Sequence, residues 1–250
     1  MQRDFSPNEP ELMDLPEASP ADLERALLNL ASLNHRFGSY RLVRRFLSSW
    51  LTPGHTYKIL DVATGGADIP RLIADWARKH GASVQIDAID ASAATLRIAS
   101  EQSTAYPEIR LLHADALSYS SPTTYDLVTC CLALHHFSDC DAARLLHRCR
   151  SLSHRFVLIS DLERSRLAQA GVWLATSLLY SCPMTRHDGR LSIRRAFSYR
   201  EMRSLAETAG WPHFGHARFP LFRQALWLDE QTAGEIPETD FAHSTASCPA

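Results

Sequence analysis

The sequence predicts a doubly wound α/β domain: a seven-stranded, mostly parallel sheet, an antiparallel strand pair at its C-terminal end, and a helical lid in front. Three observations predict it. Apolar strand-like runs at 58–63, 84–89, 109–113, 125–131 and 156–160 alternate with helix-like runs at 68–80, 92–103 and 138–152, the pattern of βαβ units. The first strand passes through Asp61 into a turn of the smallest residues, Ala63-Thr64-Gly65-Gly66-Ala67, which opens into a helix. Small side chains let a ligand lie against the backbone, and a helix start offers free N–H groups. Last, Asp61, Asp90 and Asp115 stand just past the apolar parts of successive strands, on the rim where parallel sheets bind ligands.

The elements follow in order. Residues 1–18 carry Pro7, Pro10 and Pro16 among acids and read as a loose, disordered tail. Ser19-Pro20 pairs an N-cap with proline at the first helical position, and Leu23, Ala26, Leu27 and Leu30 follow at helical spacing. A second helix starts near Ser39 with the stripe Leu42, Val43, Phe46, Leu47 and Trp50, and Pro53-Gly54 ends it. These two helices form a lid over 19–54, ahead of the main domain at 55–228. Asp68 is placed to cap the helix after the small-residue turn. Ser138 and Asp141 open another helix, and Ser198 with Glu201 forms a capping box for a third. Runs at 213–219 and 222–228 are joined by little more than Pro220, which implies an antiparallel pair. Residues 229–250 are polar and read as a second disordered tail.

Composition narrows the class. A 250-residue chain with 45% hydrophobic residues builds one core of ordinary size, and a formal charge of −2 gives no reason to expect nucleic acid. The six cysteines, at 130, 131, 140, 149, 182 and 248, form no CxxC pair, so no metal site is expected. No apolar leader opens the chain, and the longest apolar stretch, 170–180, falls far short of the ~20 residues that span a bilayer. A reduced, cytoplasmic protein without a membrane span is the expectation, as a monomer or homodimer.

The acids choose among nucleotide-like cofactors. A carboxylate at Asp90 suits a ribose diol, and one at Asp115 an exocyclic adenine amine. A dinucleotide fingerprint needs a third glycine for close helix packing, and here that position is Asp68. The turn Asp61-Val62-Ala63-Thr64-Gly65-Gly66-Ala67 instead resembles motif I of class I S-adenosylmethionine-dependent methyltransferases, with Ala for two of the three glycines. The segment 60–65 resembles the variant of the ubiquinone/menaquinone C-methyltransferase group. Asn34, Phe37-Gly38 and Arg41 are similar to that group's N-terminal element. Ile89-Asp90-Ala91-Ser92 is similar to motif II, Ala114-Asp115-Ala116 to motif III, 125–131 to motif IV, and Leu134-His135-His136-Phe137 to its continuation. Residues 161–166 and 184–190 resemble a bacterial polyketide-associated, secondary-metabolite subgroup.

The resemblance implies a Rossmann-like fold and S-adenosylmethionine as cofactor, with S-adenosylhomocysteine as product. It implies a cofactor site of Asp61, Ala63, Thr64, Gly65, Gly66, Ala67, Asp68, Asp90, Ala91, Asp115, Ala116 and Cys131. The Arg36, Arg41, Arg44 and Arg45 group reads as a solvated face, with Arg41 or Arg36 the candidates to reach the cofactor carboxylate. The acceptor is a hydrophobic phenolic, quinone-like or polyketide small molecule, methylated on oxygen or carbon. Two other readings compete: an NAD-dependent oxidoreductase, and a non-catalytic methyltransferase-fold partner subunit, which the two alanines motivate.

Transfer to a phenol gains from removal of its proton, and an imidazole is the natural base. His136, His135 and His187 are the candidates. Adjacent residues tend to point apart, so only one of His135 and His136 is expected to function. Arg186 is placed to bind an acceptor carboxylate or phenolate, His187 and Asp188 form an alternative base pair, and Phe37 and Trp173 are candidate pocket walls. The chain 183–190 reads as a polar insertion loop.

Overall fold

A computed structural model describes residues 2–230 apart from Pro7 and Pro16. Helices α1 (Pro20–Arg36) and α2 (Ser39–Trp50) precede the alternating units. These are β1 (Thr56–Val62), α3 (Asp68–His80), β2 (Ser83–Asp90), α4 (Ala93–Gln102) and β3 (Ile109–His113). Next come β4 (Tyr125–Cys131), α5 (Asp139–Leu152) and β5 (Ser153–Leu162). Helices α6 (Arg166–Leu179), α7 (Pro183–Arg195) and α8 (Tyr199–Thr208) then lead to β6 (Gly215–Phe219) and β7 (Arg223–Asp229).

The strand order is β3-β2-β1-β4-β5-β7-β6. β1 to β5 are parallel, and β7 runs antiparallel between β5 and β6. The central strands are buried along most of their length because helices cover both faces. On one face α2 and α3 seat Trp50, Ile73 and Trp76, and Trp50 stacks on Phe156 with ring centroids 4.7 Å apart. On the other, α5 and α8 seat Leu145, Leu146 and Met202, and the Trp211 indole donates to the Leu146 carbonyl at 3.0 Å. The order reverses between β1 and β4, a switch point whose crevice at the strand ends is the usual ligand site.

Local chemistry ends the helices where expected. Ser138 and Ser198 accept backbone N–H groups as N-caps, and the Ser198–Glu201 box is closed in both directions. Gly81 ends α3 in the left-handed conformation, φ 72°. The cap of α3 differs from expectation: the N-cap is Ala67, which makes no side-chain bond, and Asp68 is the first helical residue.

Two further expectations change. Residues 183–190 are not a loop but the start of α7, because Pro183 sits in its first turn. The segment read as a loose tail is packed against the domain. Glu11 is 2% exposed, the Leu12 and Met13 N–H groups donate to the Asp188 carboxylate at 2.7 and 3.1 Å, and the Arg3 guanidinium donates to the carbonyls of Phe137 and Arg195 at 2.7 and 2.6 Å. Its polar groups find partners on α7 and after β4, so proline-broken periodicity does not keep it in solvent. Of the second tail, 231–250 lies outside the described residues, and β7 already includes Asp229. Among the described residues no helix is long and apolar enough to cross a membrane.

Candidate active site

β1 carries Asp61 to the switch point, where it is 2% exposed and accepts the Thr129 hydroxyl at 2.5 Å. Burial raises its pKa to about 7, against the pull of the Thr129 and Thr64 hydroxyls. A buried carboxylate so placed lacks a cation. The turn beyond it curls through positive φ at Ala63 (54°), Gly65 (54°) and Ala67 (57°). At the two alanines this conformation costs roughly 1–2 kcal/mol each, a cost retained to bring backbone N–H groups to one spot. The Gly65 N–H donates to Asp90 Oδ2 at 2.8 Å, and the Ser92 N–H to Asp90 Oδ1 at 2.9 Å, so β2 and the turn are locked together. Asp115 takes the Leu117 N–H and the Ser118 hydroxyl. Each carboxylate oxygen keeps a lone pair for a ligand.

These residues enclose a cavity of about 280 Å³ whose walls include Asp14, Asp61, Asp68, Asp90 and Asp115. Five carboxylates suit a cationic ligand and repel a dinucleotide's pyrophosphate. S-adenosylmethionine, with its ammonium and sulfonium, fits such a wall. A further detail agrees: Asn34 Oδ1 is buried here with no hydrogen-bond partner, while its amide donates to Asp68 at 2.9 Å. A buried orphan acceptor is costly until a donor such as an ammonium reaches it.

The expected cofactor residues line this cavity, with two exceptions. Ala67 is fully buried behind the turn as the N-cap of α3. Arg41 lies on the exposed side of α2 and faces solvent. Met13, Asn34, Leu132 and Phe137, which sequence reading did not assign to the cofactor, join the walls. Leu132 holds a positive φ of 56°, a strained non-glycine backbone of the kind found at functional sites.

A second cavity of about 300 Å³ lies against the first, between α1, α6, α7 and the turn before β7. Met13, Leu30, Asn34, Leu132 and His136 line both, so the two spaces meet there. Phe37 lines the second cavity as expected. Trp173 does not: it is 56% exposed, with the Arg190 guanidinium over its ring. Arg186 does not either. It donates to the carbonyls of Tyr180 (2.6 Å) and Ser177 (3.0 Å) and so closes the C-terminal end of α6. His187 bonds Asp188 at 2.9 Å but sits on an outer groove of α7, while Asp188 itself faces the cavity.

The Leu134–His136 segment after β4 is a 3₁₀ turn, and the expected divergence of the two imidazoles does not occur. The rings lie 4.5 Å apart and both face Glu11. His135 is 3% exposed, and its Nδ1 bonds Asp161 at 2.8 Å. Asp161 also accepts the His135 and Leu162 N–H groups, and its hydrogen bonds with the His135 ring and these N–H groups hold its pKa low although burial pushes it up. Burial lowers the His136 pKa, but Glu11 and Asp14 outweigh it and raise the group to about 9. Where no metal site was expected, Glu11, His135 and His136 offer donor atoms within 4.8 Å of one another, a set able to hold a proton or a divalent cation. Glu11 carries no signature in the sequence, and Asn34 and Asp161 fall within family-like segments without an assigned role, since their contacts here are with partners far along the chain.

Comparisons agree with this geometry. Residues 59–154 match the family model of a methyltransferase domain. The chain is 29% identical to the 2-phytyl-1,4-naphtoquinone methyltransferase of Thermosynechococcus vestitus over 157 residues, 61% of this chain and 68% of that protein. The plantazolicin methyltransferase BpumL superposes with TM-score 0.63 at 14% identity, covering 83% of this chain and 90% of that one. Human N-acetylserotonin methyltransferase gives 0.61 at 13% identity, with 84% of this chain covering 56% of the human one. An Aquifex aeolicus SAM-dependent methyltransferase gives 0.57 at 16%, covering 84% and 98%. With its acidic switch-point cavity and its sheet order, the chain has the fold of S-adenosylmethionine-dependent methyltransferases, and its residues 59–154 form a methyltransferase domain.

Proposed function

We propose that the chain methylates an oxygen or carbon of a hydrophobic phenolic, quinone-like or polyketide small molecule. One observation carries the reading: an apolar cavity meets the cofactor cavity, and the Glu11–His135–His136 cluster stands where they meet. S-adenosylmethionine, when bound, supplies a methyl group already activated for transfer. The chain then has to align the acceptor, keep water out and move a phenol proton. The walls from α1, α6 and α7 do the first two. His136, protonated at neutral pH, donates to the acceptor oxygen and steadies the phenolate. His135, its Nδ1 held by Asp161, presents Nε2 toward Glu11 and accepts the proton. The Thermosynechococcus relative, named for a phytyl naphthoquinone, supports an apolar ring acceptor. Incubation with S-adenosylmethionine and a panel of alkylated phenols and hydroquinones should give singly methylated products by mass spectrometry. No product from any of them, with S-adenosylhomocysteine still bound, dismisses this acceptor class.

The His₂Glu set favours a second reading, in which a divalent cation at the cluster polarises the acceptor oxygen. Loss of turnover on chelation, restored by zinc or manganese, establishes it; full turnover after chelation dismisses it.

The acceptor cavity depends on small residues. A Cβ at Gly171 would lie 3.0 Å from Phe222 Cε2, and one at Gly189 3.2 Å from Thr176 Cγ2. Gly171→Val should raise the acceptor KM about tenfold or more, roughly 1.4 kcal/mol of lost binding, with S-adenosylhomocysteine affinity unchanged by calorimetry.

A further inference from the structure

Arg223 opens β7, directly after Leu221 and Phe222, whose backbones hold φ of 62° and 59°. All three line the acceptor cavity, and Arg223 is only 7% exposed. Its Nε donates to the Ser39 hydroxyl at 2.9 Å, a neutral partner. Among the described residues no carboxylate forms an ion pair with it. The acid whose field reaches it, Asp161, is already occupied by His135 and Leu162. Burial lowers the Arg223 pKa to about 10, with Asp161 pulling back up, so the group is still a cation at neutral pH.

Two other arginines with buried side chains are matched to carboxylates, and Arg195, 4% exposed, donates to the Ser6 carbonyl. Arg164 meets Glu201 at 2.5 Å, and Arg3, its side chain 7% exposed, meets Asp139 at 2.7 Å. A guanidinium has five N–H donors in a fork that fits a carboxylate, and a buried charge without a counter-ion is costly. Arg223 therefore stands in the acceptor cavity as half of an ion pair. Its place relative to the cluster is set by strand register: Leu162 is opposite Arg223, and Asp161, which holds His135, is opposite Gln224.

We propose that Arg223 binds a carboxylate of the acceptor, so that the acceptor class is a hydroxy-aromatic acid with an apolar tail. This rests on the acceptor reading above and narrows it. The role assigned by sequence to Arg186 passes to Arg223, because Arg186 is consumed at the end of α6.

The test uses the full chain loaded with S-adenosylhomocysteine and two probes, a long-chain alkylsalicylate and the matching alkylphenol without the carboxylate. Titration calorimetry should show the salicylate binding at least tenfold more tightly to the wild type. Arg223→Gln should erase that preference, and Arg223→Lys should keep part of it. Without ligand, Arg223→Gln should melt at or above the wild-type temperature, since an unmatched buried charge is gone. Equal binding of both probes to the wild type overturns the carboxylate site and leaves the phenol reading standing. Binding of neither overturns the phenol reading, and the carboxylate site with it. A preference that survives Arg223→Gln, with a lowered melting temperature, makes Arg223 a clamp on Ser39 and overturns the proposal.

Discussion

Asp61→Asn should yield a protein that is more stable without ligand at pH 8 yet has lost its cofactor. The Asp61 carboxyl titrates at about 7 in the folded chain against an ordinary 3.8. A raised acid binds its proton more tightly in the folded state. The ligand-free protein therefore loses stability as pH rises from the unfolded pKa near 3.8 and has lost all of that contribution above about 7. Three pKa steps set an upper bound of about 4 kcal/mol, and incomplete isolation of a real site reduces it. A gain of about 2 kcal/mol at pH 8, with none at pH 4, is the expected result for the neutral isostere. Affinity for S-adenosylhomocysteine should fall about 100-fold, near 2.7 kcal/mol. Thermal melts across pH and calorimetry read both. A variant destabilised at pH 8 that still binds the ligand would contradict this account of the acidic wall.

Glu11→Gln should slow transfer about 100-fold, the lower range for loss of positioned acid–base chemistry, while S-adenosylhomocysteine affinity changes little. Glu11 is the leading charge that raises His136 to about 9 against the burial that lowers it. Without it the imidazole titrates closer to its ordinary 6.5, and the alkaline limb of kcat/KM should move down in pH. Stability follows the same sign. A raised histidine contributes fully below about 6.5 and loses that contribution as pH rises through about 9. The wild type should therefore soften over that window, and Glu11→Gln should show a flatter melt–pH curve. A pH-rate profile and histidine NMR titrations check this, and an unchanged alkaline limb would remove Glu11 from the site. Its effect comes from a segment whose sequence reads as a tail.

The acids that line the switch-point cavity were largely legible. Asp61, Asp90 and Asp115 each end or follow a strand, and a parallel sheet necessarily gathers such ends on one edge. Arg41 misled because its likeness to a family element says nothing about which side of α2 meets the cavity. The lining of the second cavity was less legible. Arg186 and Trp173 have suitable chemistry, but helical phase turns one to the end of α6 and the other to solvent. The histidine pair was found by its motif, and its geometry was misread because two successive residues of a 3₁₀ turn after β4 both face Glu11.

By itself the sequence determined the alternating sheet, the small-residue turn and the acids at the strand ends. These depend on burial periodicity and on chain geometry within a few residues. Only tertiary structure decided that Glu11 meets the histidines and Ser192, 181 residues away, that Asp161 holds His135, and that Arg223 lines the second cavity with no carboxylate in an ion pair with it among the described residues. Each is a polar group buried by contacts distant along the chain. Such a group follows no local period, and its cost or use exists only once a partner has been brought beside it or left out.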